Sequence, residues 1–254
     1  MNIAIHADPD GANEAAAGLL SEWLLEPSVR TVMVAAGNTP LDLYRRIATH
    51  HLPLAHLTVF ALDEYVGVPP EHPRNCANLL RRSVADAWGI PSSQFFALTS
   101  VETGALESVQ EHERRIARAG GLDLLVLGLG QNGHLGFNEP GSAIDSTARV
   151  LPLAPISIEA NRTWFAGDHA PALGVTVGMK TILEARRILI LAYGPHKSDA
   201  VRRMAEGPVT TACPASLLQG HPRVNVFIDA AAAVHLVPNR NRQGWPMDAR
   251  HDAR

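Results

Sequence analysis

Residues 120–141 read GGLDLLVLGLGQNGHLGFNEPG, and this stretch decides which fold the chain adopts. Two glycines end a helix, a short apolar run follows, and a loop rich in glycine and polar residues completes the stretch. A continuous apolar run of this kind is typical of a strand buried on both faces of a parallel sheet. The stretch therefore predicts such a strand, with a functional loop at its carboxyl end.

Similar apolar runs recur along the chain and alternate with stretches of helical period. The predicted strands are Asn2–Ala7, Thr31–Ala36, Leu57–Leu62, Leu122–Leu129, Arg187–Ala192 and Val224–Ile228. The predicted helices are Ala12–Leu25, Leu41–Ala48, Asn75–Trp88, Thr103–Ala119 and Pro195–Glu206. The alternation predicts an α/β fold with a doubly wound, mostly parallel sheet and helices on both faces. Because no linker is visible, we expect a single domain over 1–237 and a polar, flexible tail over 238–254.

Composition excludes several classes of protein. The 254 residues carry a net charge of −3, and only Lys180 and Lys197 among 22 basic residues are lysines, so no basic surface for nucleic acid is expected. No run approaches the ~20 apolar residues of a membrane helix. An acidic pair stands where a signal peptide has basic residues, so a cytoplasmic protein is expected. Cys76 and Cys213 have no CxxC partner and are predicted to be structural thiols.

Two of the predicted strands end in glycine turns that lead into helices. In doubly wound sheets ligands bind beyond the carboxyl ends of the strands. The turn Gly37-Asn38-Thr39-Pro40 presents backbone N–H groups and a helix dipole to an anion, with Thr39 as N-cap and hydroxyl donor. The turn at Gly194 places Lys197 in a first helical turn, where a nearby anion offsets its charge. An ordinary capped turn and a solvated lysine are the alternatives.

Two adjacent carboxylates follow the strand Leu57–Leu62. Successive side chains of an extended chain point to opposite faces, so Asp63 and Glu64 are expected to have different roles. One carboxylate would face the cleft as a base while the other pairs structurally. The alternative is a helix-capping or salt-bridged acid pair.

The loop after residue 128 contains GxGxxG, but we reject the dinucleotide interpretation. That fingerprint needs a helix to begin in the loop and a second strand to follow, and residues 149–158 do not form a clear strand. The loop instead brings together His134, Asn138 and Glu139, in which the carboxylate can orient the imidazole. No third ligand for a metal is evident. The strand ends together indicate acid–base chemistry on a phosphorylated small molecule, with neither metal nor cofactor.

Several longer strings resemble the glucosamine-6-phosphate deaminase/isomerase family over roughly residues 10 to 230. They are GNTPLDLY, LDEYVGVPPEHP, LDLLVLGLGQNGHLGFNEPGS, ALGVTVGMKTIL, GPHKSDAV and PASLLQGHP. The resemblance implies a Rossmann-like α/β fold and a role in amino-sugar catabolism. It also implies conversion of glucosamine 6-phosphate and water to fructose 6-phosphate and ammonia, through ring opening and proton transfer from C2 to C1.

The resemblance implies roles for four acid–base residues. Asp63 matches the base that moves the proton, His134 the residue that assists ring opening, and Glu139 its carboxylate partner. Asn132 stands where many members have an aspartate, so His134 is expected to be less basic here. No imine-forming lysine is needed.

The resemblance also implies a phosphate site and an assembly. Arg162, within Asn161–Phe165, stands one position away from an arginine that binds phosphate in many members. Members are often oligomeric, so a homo-oligomer is one expectation. Allosteric members bind an N-acetylated sugar phosphate through basic residues; Arg149 fits one of these but Leu151 replaces another, so we expect no such activation. The remaining residues that match the phosphate site are Gly37, Asn38, Thr39 and Lys197.

Three alternatives remain at this point. Some segments are equally similar to the galactosamine-6-phosphate deaminase/isomerase branch, whose product is tagatose 6-phosphate. A 6-phosphogluconolactonase shares the glycine turn and the GxGxxGH loop but lacks the FNEP signature. A non-catalytic sugar-phosphate sensor would keep the phosphate residues and lose the acids, whereas this chain keeps them.

Overall fold

The structure, a computed structural model, describes residues 1–238, so the predicted tail beyond residue 238 lies outside the described residues. Its strands are β1 (Asn2–His6), β2 (Thr31–Val34), β3 (Thr58–Ala61), β4 (Asp63–Val66), β5 (Phe95–Phe96), β6 (Leu124–Gly128), β7 (Arg149–Pro152), β8 (Leu173–Thr176), β9 (Arg187–Ala192) and β10 (Val224–Asp229). Its α-helices are α1 (Pro9–Leu24), α2 (Asn38–Thr49), α3 (Cys76–Leu80), α4 (Glu102–Arg118), α5 (Pro155–Trp164), α6 (Met179–Leu183), α7 (Ser198–Glu206) and α8 (Ala230–Ala233).

Seven strands form a central sheet in the order β1-β10-β9-β6-β2-β3-β5, and every pairing is parallel. The six predicted strands are all present. The strand β6 shows why its run is apolar throughout. Leu125 and Leu127 join the core on one face of the sheet, while Leu124 and Val126 join the core on the other face. Both faces are therefore covered, as the sequence predicted.

Helices cover the two faces in separate groups. Residues of α1, α2 and α3 pack into one core, and residues of α4, α6, α7 and α8 pack into the other. This arrangement confirms the doubly wound α/β fold. The predicted helix Asn75–Trp88 is the short α3 continued by a π-helical segment, Arg81–Asp86. In the described part of the chain, no helix has both the length and the apolarity needed to cross a membrane.

A second, antiparallel sheet of three strands was not predicted. Its order is β4-β8-β7. The expectation that residues 149–158 contain no strand is therefore wrong, because Arg149–Pro152 form β7. This strand is only half-buried and ends in a proline, so it lacks the apolar signature of the central strands. Because β7 belongs to the antiparallel sheet, it does not restore the dinucleotide interpretation.

The order of the central sheet reverses between β2 and β6. From β2 the chain continues outward to β3 and β5, and then returns to place β6 on the other side of β2. Val34 lies opposite Val126, and the Ala35 N–H donates to the Val126 carbonyl at 3.1 Å. The loops that follow these two strands therefore diverge from a common edge. A crevice opens at such a switch point.

Loss of packing at the centre of this sheet should destabilise the fold. Leu127 is fully buried in β6, so Leu127→Ala should lower the free energy of unfolding by about 2–5 kcal/mol. Leu106→Ala on α4 is the matched control, because Leu106 is 45% exposed. Chemical denaturation of both variants measures the difference, and equal losses would contradict the assigned core.

Candidate active site

A cavity of about 450 Å³ opens at the switch point between β2 and β6. The turn after β2, the start of β4, the loop after β6 and the turn after β9 all contribute to its wall. The structure thus brings together most of the predicted site residues. Those that line the cavity are Gly37, Asn38, Thr39, Asp63, His134 and Lys197.

The start of α2 forms one end of the cavity. The helix begins at Asn38, so the prediction that Thr39 is the N-cap is wrong, and Gly37 holds that position instead. Gly37 has a φ of 104°, which a residue with a Cβ rarely adopts, and no side chain caps the helix. The backbone N–H groups at the helix start are consequently available to an anion in the cavity.

Lys197 approaches the same end from the turn after β9. The carboxylate of Asp229 accepts the Gly194 N–H at 2.9 Å, which fixes this turn. The Lys197 ammonium donates to the Leu129 carbonyl at 2.6 Å. Burial lowers the pKa of Lys197 to about 8. Among residues 1–238 no carboxylate forms an ion pair with this ammonium, so an anion in the cavity would stabilise its charge.

The two adjacent carboxylates of β4 point to opposite sides, as their extended backbone requires. Glu64 accepts hydrogen bonds from the backbone N–H groups of Tyr65, Cys76 and Ala77, at 2.8, 3.0 and 2.8 Å. Burial raises the pKa of Glu64, and these three donors oppose that shift. Glu64 thus fastens β4 to α3, while Asp63 faces the cavity.

Asp63 is buried at the wall of the cavity. Its side chain makes no hydrogen bond within the described part of the chain, and the residue is 7% exposed. Burial raises the pKa of Asp63 to about 8, and the neighbouring charge of Glu64 contributes to the shift. A carboxylate in this state is a much stronger base than a solvated one.

The loop after β6 places the carboxylate of Glu139 next to His134, which lines the cavity. Glu139 Oε2 lies 3.3 Å from His134 Nδ1 and accepts a 2.7 Å hydrogen bond from Asn132. Its other oxygen accepts the Ser157 hydroxyl at 2.5 Å and the Ala154 N–H at 3.2 Å. All these donors favour an ionised carboxylate.

These contacts determine which form of the histidine faces the cavity. Burial tends to raise the pKa of Glu139, but the hydrogen bonds from His134, Ser157 and Asn132 outweigh it and hold the pKa near 2. An ionised Glu139 is an acceptor only, so the proton of a neutral His134 lies on Nδ1. The Nε2 lone pair of His134 is then the group that accepts a proton. Asn132 holds Glu139 and the His134 backbone N–H rather than the imidazole ring.

Two glycines allow this loop to fold tightly. A Cβ on Gly130 would lie 2.3 Å from the His134 ring. A Cβ on Gly133 would lie 2.5 Å from the sulfur of Cys213. Cys213 and Cys76 are both buried free thiols. Cys213 therefore packs against the loop that carries the histidine.

Three basic residues lie elsewhere. Arg162 is not brought to the cavity: its side chain is 59% exposed and its Nε lies 3.4 Å from Glu159, whereas the adjacent Thr163 lines the wall. The half-buried Arg149 donates to Asn138 Oδ1 at 2.8 Å, which braces the loop from behind. Lys180 is exposed on α6.

Sequence reasoning missed two residues that support the site. Ser157 bonds Glu139 from the first turn of α5, and no local pattern in the sequence relates the two. Asp229 fixes the Gly194 turn and also caps α8, where it accepts the Ala232 N–H at 2.9 Å. Its position at the end of β10 is a usable signal, because ligands in doubly wound sheets bind beyond the carboxyl ends of the strands. In residues 1–238 no three His, Cys, Asp or Glu side chains are grouped to hold a metal ion.

The fold and the cavity define an α/β protein in which an uncapped helix start, a lysine, a buried carboxylate and a histidine meet at the switch point of the sheet. The chain belongs to the family described as glucosamine-6-phosphate isomerases/6-phosphogluconolactonase, whose model matches residues 10–227. The family membership that the motifs predicted is therefore confirmed.

Three comparisons show how similar known members are. A glucosamine-6-phosphate deaminase of Corynebacterium kroppenstedtii is 35% identical over 96% of this chain and 99% of its own. A solved monomeric glucosamine-6-phosphate deaminase superimposes with a TM-score of 0.87 at 30% identity, covering 92% of this chain and 99% of that one. The 6-phosphogluconolactonase of Trypanosoma brucei, at 22% identity and a TM-score of 0.76 over 93% and 98% of the chains, shares the fold.

The raised pKa of Asp63 should make stability depend on pH. Between pH 3.8 and about 8 the unfolded chain loses this proton while the folded chain keeps it, so stability falls as pH rises through that window. Asp63→Asn removes this effect. The unfolding free energy of Asp63→Asn minus that of the parent should therefore increase by at least about 1 kcal/mol from pH 5 to pH 8. Denaturant unfolding at both pH values measures this, and a gain independent of pH would contradict the shift.

Proposed function

We propose that this protein converts glucosamine 6-phosphate and water to fructose 6-phosphate and ammonia. One observation carries the proposal: a single cavity is lined by the uncapped start of α2, by Lys197, by the buried Asp63 and by His134, which contacts Glu139. A relative that is 35% identical over nearly its whole length bears the name of this activity. The sugar would extend from its phosphate to the acid–base residues.

The phosphate would bind at the uncapped start of α2. Backbone N–H groups near Gly37, Asn38 and Thr39, the Thr39 hydroxyl and the Lys197 ammonium supply donors of the kind that phosphate oxygens accept. Binding would also restore the charge balance of the buried ammonium. Anchoring the phosphate there holds the reacting carbons at a fixed place in the cavity.

The proton transfer would be carried out by Asp63. After His134 assists opening of the sugar ring, the Asp63 carboxylate takes the proton from C2 and returns it to C1. A base whose pKa lies near 8 suits abstraction of a proton next to a carbonyl. The transfer leaves a hydroxyl group at C1 and an imine at C2. Water adds to the imine carbon, and the protonated amino group then leaves as ammonia, so that C2 becomes the ketone of fructose 6-phosphate. Glu139 keeps His134 in the tautomer that this role needs.

We also propose a cytoplasmic location for this member of the family and keep a homo-oligomer as a prediction. The solved relative with a TM-score of 0.87 is described as monomeric. The mass of the protein in solution distinguishes a monomer from a homo-oligomer.

An ammonia-release assay tests the proposed activity. The protein should release ammonia from glucosamine 6-phosphate, with fructose 6-phosphate as the sugar product. Loss of the general base in Asp63→Asn should lower kcat by about 100-fold or more. Release from galactosamine 6-phosphate with tagatose 6-phosphate as product would assign the protein to the other branch. Hydrolysis of 6-phosphogluconolactone without ammonia release would contradict the proposal, and phosphate-sugar binding without turnover would indicate a sensor.

Lys197→Arg tests the phosphate site. The compact ammonium donates to the Leu129 carbonyl in a half-buried position, and a planar guanidinium cannot reproduce that geometry. The variant should raise KM for glucosamine 6-phosphate by about tenfold, the loss of one charged hydrogen bond, with a smaller change in kcat. Arg202→Lys on α7 is the control, because Arg202 is exposed and pairs with Asp199. An unchanged KM in Lys197→Arg would remove Lys197 from the phosphate site.

A further inference from the structure

A second cavity, of about 500 Å³, adjoins the first. Its wall includes two arginines: Arg74, from the segment that leads from β4 into α3, and Arg82, from the π-helical segment that follows α3. The two cavities share the wall residues Asn38, Thr163 and Trp164. Since Asn38 is the first residue of α2, the arginines stand directly beside the proposed phosphate site.

The charge in the first cavity is incomplete for a phosphate. A phosphate monoester carries close to two negative charges at pH 7, since its second pKa is about 6. Of the described residues that line the first cavity, Lys197 is the one lysine or arginine. The backbone N–H groups at the start of α2 stabilise part of the remaining charge, and a second cation would balance the dianion more fully. Arg162, which the sequence suggested for this role, points away and lies beside Glu159.

Arg74 is held in place for this role by Trp164. The Arg74 guanidinium donates to the Trp164 carbonyl, the last of α5, and lies 6.0 Å from the centre of its indole ring. In return the indole N–H donates to the Arg74 carbonyl at 3.0 Å. Within residues 1–238, Arg74 forms no ion pair, and the Trp164 carbonyl is the one acceptor of its side chain. The other N–H groups of the Arg74 guanidinium are available to donate to a ligand.

We propose that Arg74 is the second cation of the phosphate site, and that it binds the sugar phosphate opposite Lys197. The inference rests on the proposed function insofar as that function makes the substrate a phosphorylated sugar. Arg82 stands beside Arg74 and donates to the Pro73 carbonyl at 2.5 Å, so it adds positive potential at the same wall. Because Arg74 is exposed, its attraction for the phosphate is screened by salt.

The test compares binding of inorganic phosphate and of fructose 6-phosphate by calorimetry in four variants. Arg74→Ala should weaken both by about tenfold to 100-fold, the loss of a hydrogen bond between charged groups. Arg74→Lys should recover part of that loss because it keeps the charge. Arg45→Ala should bind as the parent does, since Arg45 is exposed on α2 and pairs with Asp42. Arg162→Ala should also leave binding unchanged, which separates the two candidate arginines.

Kinetic measurements distinguish a role of Arg74 in binding phosphate from a role in stabilising the position of α5. In Arg74→Ala, KM for glucosamine 6-phosphate should rise by a similar factor, while kcat/KM for unphosphorylated glucosamine stays the same. Equal losses with both sugars, or unchanged phosphate binding, would overturn the proposal. So would weaker binding in Arg162→Ala alone, which would return the role to Arg162. If the parent binds inorganic phosphate through Arg74 yet releases no ammonia, the proposed function fails and this inference stands.

Discussion

The parallel pairing of β2 with β6 is the constraint on which the site depends. Hydrogen bonding between these strands sets their carboxyl ends at one edge, with Val34 opposite Val126. The order of the sheet reverses there, so the turn into α2 and the histidine loop leave in different directions and open a cavity between them. The turn after β9 reaches the same edge because β9 pairs with β6. The start of α2 and the histidine loop are therefore neighbours although Asn38 and His134 are 96 residues apart in the chain.

Three buried carboxylates show how the surroundings assign different roles to the same chemical group. Glu64 is surrounded by backbone N–H groups and fastens one strand to a helix. Glu139 is held ionised by a serine, an asparagine and a histidine. Asp63 has burial without comparable donors, and its pKa is raised to about 8, whereas the pKa of Glu139 is held near 2. The carboxylate that lacks hydrogen-bond donors among the described residues is the one that faces the cavity, which is where a strong base is useful.

Much of this arrangement could be predicted from the sequence, and what could not has physical causes. The central strands alternate between two cores, so each is apolar along its length and easily recognised. The strand Arg149–Pro152 has no such pattern because it is half-buried in an antiparallel sheet. The contact of Ser157 with Glu139, and that of Arg74 with Trp164, join distant segments through tertiary packing alone. Motif spacing suggested Arg162, but the helix turns that side chain towards Glu159.

The helix α5 contacts Glu139 through its first turn and Arg74 through its last residue. The positions of these two residues are therefore linked through one helix. Its first turn supplies the Ser157 hydroxyl to Glu139, and its last residue, Trp164, holds Arg74. Both contacts are made by one helix of ten residues, so a displacement of α5 as a whole alters both. Contacts made at a non-reacting part of a substrate can in this way bear on the geometry of the reacting groups. A phosphate bound between Lys197 and Arg74 would hold α5 where Glu139 keeps His134 in its working tautomer.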